Sequence, residues 1–359
     1  MSRVWCVACA VGPLCGCTYY DSALVGGVSP ADSGIEADST TGTCSRALPP
    51  EPPAVKDAAG SIELVLAVRT IDFHETTQFN TIGYDLDKTC TCLGEGNSCQ
   101  PPANSTPQDQ CDGPGGRDNR AAALIAASSM LGLSSATFDN DIADGEWSIL
   151  VRVRGYNGLA DDDQVSVAWL VPLNFMKPPV WDGTDAWGIN GSCLNHDGTG
   201  KPDLESPLIT DTLAYVTGGR LVASLKGGAS LTLSTGMSII INDAFLVAGL
   251  VQDGSKWSVQ EGLLVGVWKT TDLLANLRYT TVGGQPLCAT NGIYKNIKDS
   301  VCQKRDILAS GGAPTAPCDA ISLAFTFTAA PAKIALALDN PAGADPCPSD
   351  TDAAAYECD

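Results

Sequence analysis

The stretch Leu213–Val251, LAYVTGGRLVASLKGGASLTLSTGMSIIINDAFLVAGLV, decides the fold class of this 359-residue chain. Short apolar or alternating runs are separated by Gly218-Gly219, Gly227-Gly228, Gly236 and Asn242-Asp243, residues that tolerate the positive φ of tight hairpin turns. Short strands with such turns are typical of a β-sandwich or a β-barrel. The predicted strands here are Leu213–Thr217, Arg220–Leu225, Ser230–Leu233, Met237–Ile241 and Ala244–Val251.

Similar runs on both sides extend the β prediction across residues 60–340. They are Ser61–Thr70, Trp147–Arg154, Gln164–Val171, Ala320–Thr328 and Ala332–Leu338. Helix formers occupy Asp118–Leu133, Thr270–Tyr279 and Asn291–Leu308, which predicts three helices. Because strong strands lie near both ends, we expect the first and last strands to pair. On pattern alone, a mainly β, jelly-roll or concanavalin-like sandwich with a few inserted helices and disulfides is expected. The alternative is two consecutive β domains that divide near Pro178-Pro179.

Composition limits the partners of the chain. Acidic residues outnumber basic ones by 41 to 21, and the formal net charge is −20. This charge repels phosphate backbones, so nucleic acid is not expected as a partner. The same carboxylates favour cations, although most acidic side chains in proteins are simply solvated. The oligomeric state does not follow from these patterns.

Fifteen cysteines indicate an oxidising compartment. Four lie at or before Cys17. Since eleven is odd, five disulfides would leave one thiol outside them, and a Cys288–Cys302 bridge would tie the third predicted helix to the loop before it. Zinc is the weaker hypothesis, because Cys90 and Cys92 have one residue between them instead of two to four. The disulfide candidates are Cys44, Cys90, Cys92, Cys99, Cys111, Cys193, Cys288, Cys302, Cys318, Cys347 and Cys358.

The N-terminus has the pattern of an export signal. Arg3 precedes the apolar run Val4–Leu14, which has signal-peptide length and is too short to span a bilayer. Leu14-Cys15-Gly16-Cys17 resembles the lipobox of bacterial lipoproteins. The resemblance covers these four residues and implies a signal peptide at 1–16, lipidation of Cys17 and anchoring to a membrane. With Thr18 after the cysteine, it implies a cell-envelope address, at the outer membrane or the cell surface.

Composition also divides the chain around the globule at 60–340. Residues 17–59 are rich in small polar residues and proline, which predicts a flexible tether behind the lipidated cysteine. Residues 341–359 are expected to form a cysteine-containing C-terminal tail.

Two polar loops are candidate Ca²⁺ sites. Asn157, Asp161, Asp162 and Asp163 lie between two predicted strands and offer the hard oxygen ligands that Ca²⁺ prefers. The second loop, with Asn195, Asp197 and Asp203, resembles part of an EF-hand loop at Asn195, Asp197 and Gly198. Cys193 and Leu204 occupy the first and twelfth positions of that pattern, where oxygen ligands are needed. Ordinary polar turns are the alternative for both loops.

Two aromatic residues suggest a ligand platform. Trp181, Asp182, Asp185 and Trp187 surround a DGxD turn. Exposed indole faces could stack on sugar rings, and the carboxylates could accept hydrogen bonds from sugar hydroxyls. Large aromatic residues are more often buried, so exposure decides between the two interpretations.

Catalytic motifs are absent from the sequence. The chain has no G-x-S-x-G elbow, no phosphate-binding loop and no paired zinc histidines, since it contains two histidines that lie far apart. The leading hypothesis is therefore a non-catalytic cell-envelope protein that binds a glycan or another surface component, with Ca²⁺ as its one candidate cofactor. One alternative is a polysaccharide hydrolase that uses a carboxylate pair, and another is a purely structural envelope protein.

Overall fold

The computed structural model describes residues 44–359 except 55, 57–59, 76–80, 128–131, 233–236, 341–343, 349, 351 and 359. Its elements up to the middle of the chain are β1 (Ile62–Asp72), α1 (Pro107–Gln110), α2 (Ala121–Ala127), α3 (Ser135–Asp144), β2 (Leu150–Tyr156), β3 (Asp162–Leu170), β4 (Ala186–Asn190), β5 (Leu194–His196) and β6 (Pro202–Pro207). The others are β7 (Thr210–Thr217), β8 (Arg220–Leu225), β9 (Ala229–Thr232), β10 (Ser238–Asp253), β11 (Lys256–Lys269), α4 (Thr270–Asn276), β12 (Thr281–Val282), β13 (Gln285–Pro286), α5 (Gly292–Gln303), β14 (Ala320–Pro331) and β15 (Lys333–Leu338).

Eight antiparallel strands close into a barrel in the order β1-β2-β3-β7-β8-β10-β11-β14, and β14 pairs with β1 again. The mainly β prediction is thus confirmed. The expected pairing of the first and last strands is not, because the last predicted strand, β15, pairs with β4, and β1 pairs with β14 instead. The sheet closes on itself instead of forming the two facing sheets of the expected jelly-roll sandwich. Strands from both sides of Pro178-Pro179 pair with one another, as in β3–β7, so the two-domain alternative is wrong.

The long hairpin of β10 and β11 closes the barrel. Each of these strands pairs with the other and with a second barrel strand, β8 for β10 and β14 for β11. Asn242-Asp243 was predicted as a turn, but these residues lie within β10 at a register shift, where Asp243 has φ +46°. A β-bulge, unlike a turn, lets a strand bend without ending. The sequence analysis missed β11 altogether.

The apolar core follows the alternation of the strands. In β14, Ile321, Leu323 and Phe325 are buried, while Thr326 and Thr328 lie on the opposite face and are partly exposed. Successive side chains of a strand point to opposite faces. The largest fully buried side chains include Trp169, Trp187 and Trp268.

Helices cover parts of the barrel. The predicted helical segments contain α2, α4 and α5, so these predictions are confirmed in type. The sequence analysis missed α3, which begins after the N-cap Ser134 and ends at Gly145 with φ +75°. Its Phe138 ring lies 5.3 Å from Phe73 and 4.8 Å from Trp147, and these contacts fix α3 against the end of β1.

Five disulfides tie the loops to the barrel, in agreement with the count expected from the sequence. They are Cys44–Cys90, Cys92–Cys111, Cys99–Cys318, Cys288–Cys347 and Cys302–Cys358. The expected Cys288–Cys302 bridge is wrong, because both cysteines pair with the C-terminal segment. Cys193 is the remaining thiol and is buried.

Thr43–Asp359 form one compact unit. The predicted signal peptide, the lipidation site Cys17 and most of the tether lie outside the described residues. None of the described helices combines the length and the apolar character needed to cross a membrane.

Candidate functional site

A groove of about 860 Å³ lies along the barrel surface where β1, β14 and β11 meet. Strand register builds its floor: Asp72 pairs with Thr326, Thr326 with Leu263, and Leu263 with Val247. Residues paired directly across antiparallel strands project on the same face. The floor is therefore a cross-strand row that becomes less polar from β1 to β10.

Hydroxyl and charged groups form a second row beside the first. The Thr70 and Thr328 hydroxyl oxygens lie 2.7 Å apart. A register shift in β11 leaves Gln260 and Glu261 opposite Thr328, and Arg220 donates to Glu261 Oε2 at 3.1 Å. The groove thus presents several hydrogen-bonding groups within one concave surface, which is the usual arrangement of a site for a polar ligand.

The start of α3 forms one wall. The Ser135 hydroxyl accepts from the Phe73 N–H at 2.9 Å and donates to Glu75 Oε2 at 2.6 Å. Asp139, one turn along the helix, accepts the Ile71 N–H at 3.0 Å. These bonds fix the two carboxylates against the end of β1.

Electrostatic repulsion acts within this wall. Burial raises the pKa of Asp139, and the nearby charges of Asp72 and Glu75 raise it further, against the effect of the Ile71 N–H. Burial also raises the pKa of Tyr84, which lines the groove.

His74 stands beside the groove in a left-handed backbone conformation, with φ +56°. Its backbone N–H donates to Asp72 Oδ1 at 2.7 Å, and its ring Nε2 lies 2.8 Å from the Thr326 hydroxyl oxygen. A non-glycine residue at positive φ is uncommon and is held by its surroundings. Here the first bond holds the backbone of His74 beside Asp72, and the second holds the imidazole against the floor of the groove.

A second cluster of acidic residues lies in the disulfide-rich segment, and we call Asp85, Asp87, Asp112 and Asp118 the carboxylate cluster. Asp85 and Asp118 are buried, and Asp87 and Asp112 are half-buried. Oxygens of Asp85, Asp87 and Asp118 lie within 4.8 Å of one another, and the Asp112 carboxyl contacts that of Asp118. Ca²⁺ takes six to eight oxygen ligands, mostly from carboxylates and carbonyls. Among the described residues, these are the side chains best placed to hold such an ion.

Burial and mutual repulsion raise the pKa values of three members of the cluster, Asp87, Asp112 and Asp118. Burial is the largest cause in each case; it raises the pKa of Asp87 to about 6 and that of Asp112 to about 7. The pKa of Asp118 is also raised, first by burial and then by the charges of Asp87 and Asp112. Arg46 compensates part of the negative charge through its 2.6 Å contact with Asp85.

The first loop predicted to bind Ca²⁺ uses its oxygens for backbone hydrogen bonds. Asp162 is buried and accepts the Asn157 N–H at 2.7 Å, while Asp161 accepts the Gly218 N–H at 2.9 Å. Asn157 Oδ1 accepts the Leu159 N–H. In the part of the chain that the structure describes, Asp161, Asp162 and Asp163 belong to no close group of three or more histidine, cysteine, aspartate or glutamate ligands.

The second predicted Ca²⁺ loop is an exposed hairpin between β5 and β6. Asp197 accepts from the Thr199 N–H and hydroxyl, both at 2.7 Å, and Asp203 accepts the Glu205 N–H at 2.9 Å. Asn195 donates its amide to Ser206. The polar-turn interpretation describes both loops, since short Asp and Asn side chains bond the backbone of tight turns.

The predicted aromatic platform is mostly internal. Trp187 is fully buried and stacks on Phe175 at 4.7 Å, so its indole faces are not available to a ligand. Asp185 is also buried and accepts the Val180 and Trp181 N–H groups. Asp182 and Trp181 are both partly exposed, and Asp182 accepts the Thr184 N–H. A platform with two indole faces is therefore not formed.

Sequence reasoning missed both the groove and the carboxylate cluster. The alternation in Phe325–Thr328 places two threonines on one strand face, and Asp85 and Asp87 alternate in DLD. These local patterns indicate single strands and turns, and they do not indicate which distant residues lie beside them. The cluster and groove are assembled by partners far along the chain, such as Asp118 and Glu261.

The chain matches no protein-family model, and the searches found neither a curated protein nor a solved structure significantly similar to it.

Proposed function

We propose that the chain is an exported, non-catalytic cell-envelope protein that binds a hydroxyl-rich ligand, such as a glycan, in the groove of the barrel. The observation that carries this proposal is the concave surface built by Thr70, Thr328, Tyr84 and Arg220. Sugars are recognised by hydrogen bonds to their hydroxyls together with packing on an aromatic ring. The groove offers hydroxyl groups on two barrel strands, which are rigid supports, and the Tyr84 ring on the segment between β1 and α1.

The five disulfides support the export part of the proposal. Such bridges persist in oxidising compartments and are rare in reducing cytosol. An anchor at Cys17 would then hold the barrel at the membrane surface. Labelling of the cells with a radioactive fatty acid tests the anchor: the label is expected on the wild type and not on a Cys17→Ser variant, and equal labelling would rule out this lipidation site.

The glycan proposal is tested with a glycan array and three variants. Thr70→Val and Thr328→Val remove the paired hydroxyls while keeping the branched shape, and each should weaken binding about tenfold, as expected for the loss of one hydrogen bond. Thr281→Val, an exposed threonine of β12 outside the groove, is the matched control and should bind like the wild type.

Other outcomes would contradict the proposal in different ways. No binding to any glycan, or unchanged binding by both groove variants, would remove the glycan from the groove. Loss of binding in Trp181→Ala alone would move the site to that loop. Release of new reducing ends from a bound polysaccharide would instead make the protein a hydrolase.

A further inference from the structure

The charges along the groove point to the class of ligand. Its lining contains four carboxylates, those of Asp72, Glu75, Asp139 and Glu261, and one permanently charged cation, Arg220. Arg220 donates to Glu261 at 3.1 Å, and both side chains are largely exposed. At the opposite end, His74 lies 3.9 Å from Asp72. The wall beside α3 therefore carries a local excess of negative charge.

Neutral donors orient these carboxylates without cancelling their charge. Glu75 accepts from the Ser135 N–H and hydroxyl, Asp72 accepts the His74 N–H, and Asp139 accepts the Ile71 N–H. Three negative groups are thus fixed around the first turn of α3, with Glu75 and Asp139 half-buried and Asp72 exposed. Repulsion between them, which also raises the pKa of Asp139, would be relieved by a positive group placed in the groove.

We propose that the ligand carries protonated amino groups among its hydroxyl groups, as an oligosaccharide of amino sugars with free amines does. This inference rests on the proposed glycan-binding function and specifies its substrate class. An ammonium group next to Asp72, Glu75 and Asp139 gains charge-assisted hydrogen bonds. The Thr70 and Thr328 hydroxyls are left for the neutral part of the sugar, and the Tyr84 ring offers a face on which a cation or the sugar can pack.

The test compares two oligosaccharides of equal length, a glucosamine oligomer and its fully N-acetylated counterpart. Calorimetric titration of the full-length protein is done at mildly acidic pH, where the free amines are protonated. The glucosamine oligomer should bind at least about tenfold more tightly, and added salt should reduce the difference because ions screen charge attraction.

Asp139→Asn serves as the main variant. The amide oxygen can still accept the Ile71 N–H, so the fold is kept while the charge is lost. This change should remove most of the preference for the amine. Asp182→Asn, a partly exposed carboxylate outside the groove lining, is the matched control and should keep the preference.

The outcomes separate the two proposals. Equal binding of both oligomers, weakened by Thr328→Val, would overturn the charge inference and support the glycan function. A preference for the amine that survives Asp139→Asn would place the charge recognition elsewhere. Failure of both oligomers to bind, while another glycan of the array still binds in the groove, would overturn the amino-sugar inference alone.

Discussion

At the scale of single residues, the carboxyl of Asp112 makes stability depend on pH. Its pKa is about 7 in the folded protein, first because of burial, and it is lower in the unfolded chain. Between these two values the folded state binds more protons than the unfolded state, so the free energy of unfolding falls as pH rises through about 7. Each of the similarly raised carboxyls, Asp87 and Asp118, adds to this slope with the same sign.

Asp112→Asn should therefore stabilise the protein in alkaline buffer without divalent cations. The amide oxygen can accept the Thr91 N–H that the carboxylate accepts now. We expect a melting temperature above that of the wild type at about pH 8, by roughly 2 °C for each kcal/mol gained. The difference should shrink as the pH is lowered toward about 4, the ordinary pKa of an aspartate. Scanning calorimetry in chelator measures both.

Asp182→Asn is the control for this prediction. Hydrogen bonds from Thr184 lower the pKa of the partly exposed Asp182, so its neutralisation should not stabilise the protein in alkaline buffer. An Asp112→Asn protein that melts no higher than the wild type at the alkaline pH would show that the half-buried Asp112 carboxylate does not destabilise the folded state.

At the scale of elements, the carboxylate cluster is where the Ca²⁺ expected from the sequence should act. A ligand bound only by the folded state stabilises it by about 2.7 kcal/mol at a concentration one hundred times its Kd. Millimolar Ca²⁺ added to chelator-treated protein should therefore raise the melting temperature of the wild type. Asp118→Asn should abolish the rise, because Asp118 is buried among the other carboxylates.

Variants in the two loops that the sequence predicted to bind Ca²⁺ serve as controls for Asp118→Asn. Asp161→Asn and Asp197→Asn change carboxylates outside the carboxylate cluster, and the Ca²⁺ effect should persist in both. If either of them removed the effect while Asp118→Asn kept it, the ion would belong to the loop first suggested by the sequence. No rise in the wild type would remove Ca²⁺ from the protein.

The β10–β11 hairpin offers a second prediction at this scale. A Cβ on Gly266 would lie 2.5 Å from the Ile241 side chain and 2.8 Å from the Asn242 carbonyl oxygen, and the backbone there is held in the barrel. Gly266→Ala should therefore lower the free energy of unfolding by about 1–3 kcal/mol, as overpacking does. At Gly249, in the same strand pair, a Cβ would meet nothing closer than 3.6 Å. Urea denaturation should show a much smaller loss for Gly249→Ala; equal losses would contradict the role of close packing.

The β10–β11 hairpin and the carboxylate cluster also show which features sequence patterns can predict. Alternation and glycine turns predicted most barrel strands, because both depend on neighbours in the chain. They failed at β11, where Gly262 and Gly266 interrupt the apolar pattern. These glycines are needed by contacts with Phe327 and Ile241 on other strands, and such requirements cannot be inferred from the segment itself. The same reason hid the carboxylate cluster, which joins Asp85 to Asp118 across an intervening disulfide loop.

At the scale of the whole molecule, the number of disulfides followed from the cysteine count, whereas the pairing did not. Ten cysteines allow many connectivities, and local spacing favoured a short Cys288–Cys302 bridge. The barrel instead brings the C-terminal segment back to α5, so that Cys302 reaches Cys358. Packing between these distant segments brings the partners together, as in the contact between the Tyr294 and Tyr356 rings, whose centres lie 6.4 Å apart.

The sequence separation of the bridged cysteines predicts which bridge contributes most to stability. Cys99–Cys318 joins residues 219 positions apart, and Cys92–Cys111 joins residues 19 apart. A cross-link restricts the unfolded chain more when it closes a longer loop, by about 5 kcal/mol for the former and about 3 kcal/mol for the latter on the chain-entropy model. The double variant Cys99→Ser/Cys318→Ser should therefore unfold at lower urea concentration than Cys92→Ser/Cys111→Ser. The reverse order would mean that the long bridge strains the closed barrel or that the unfolded chain keeps its ends together without it.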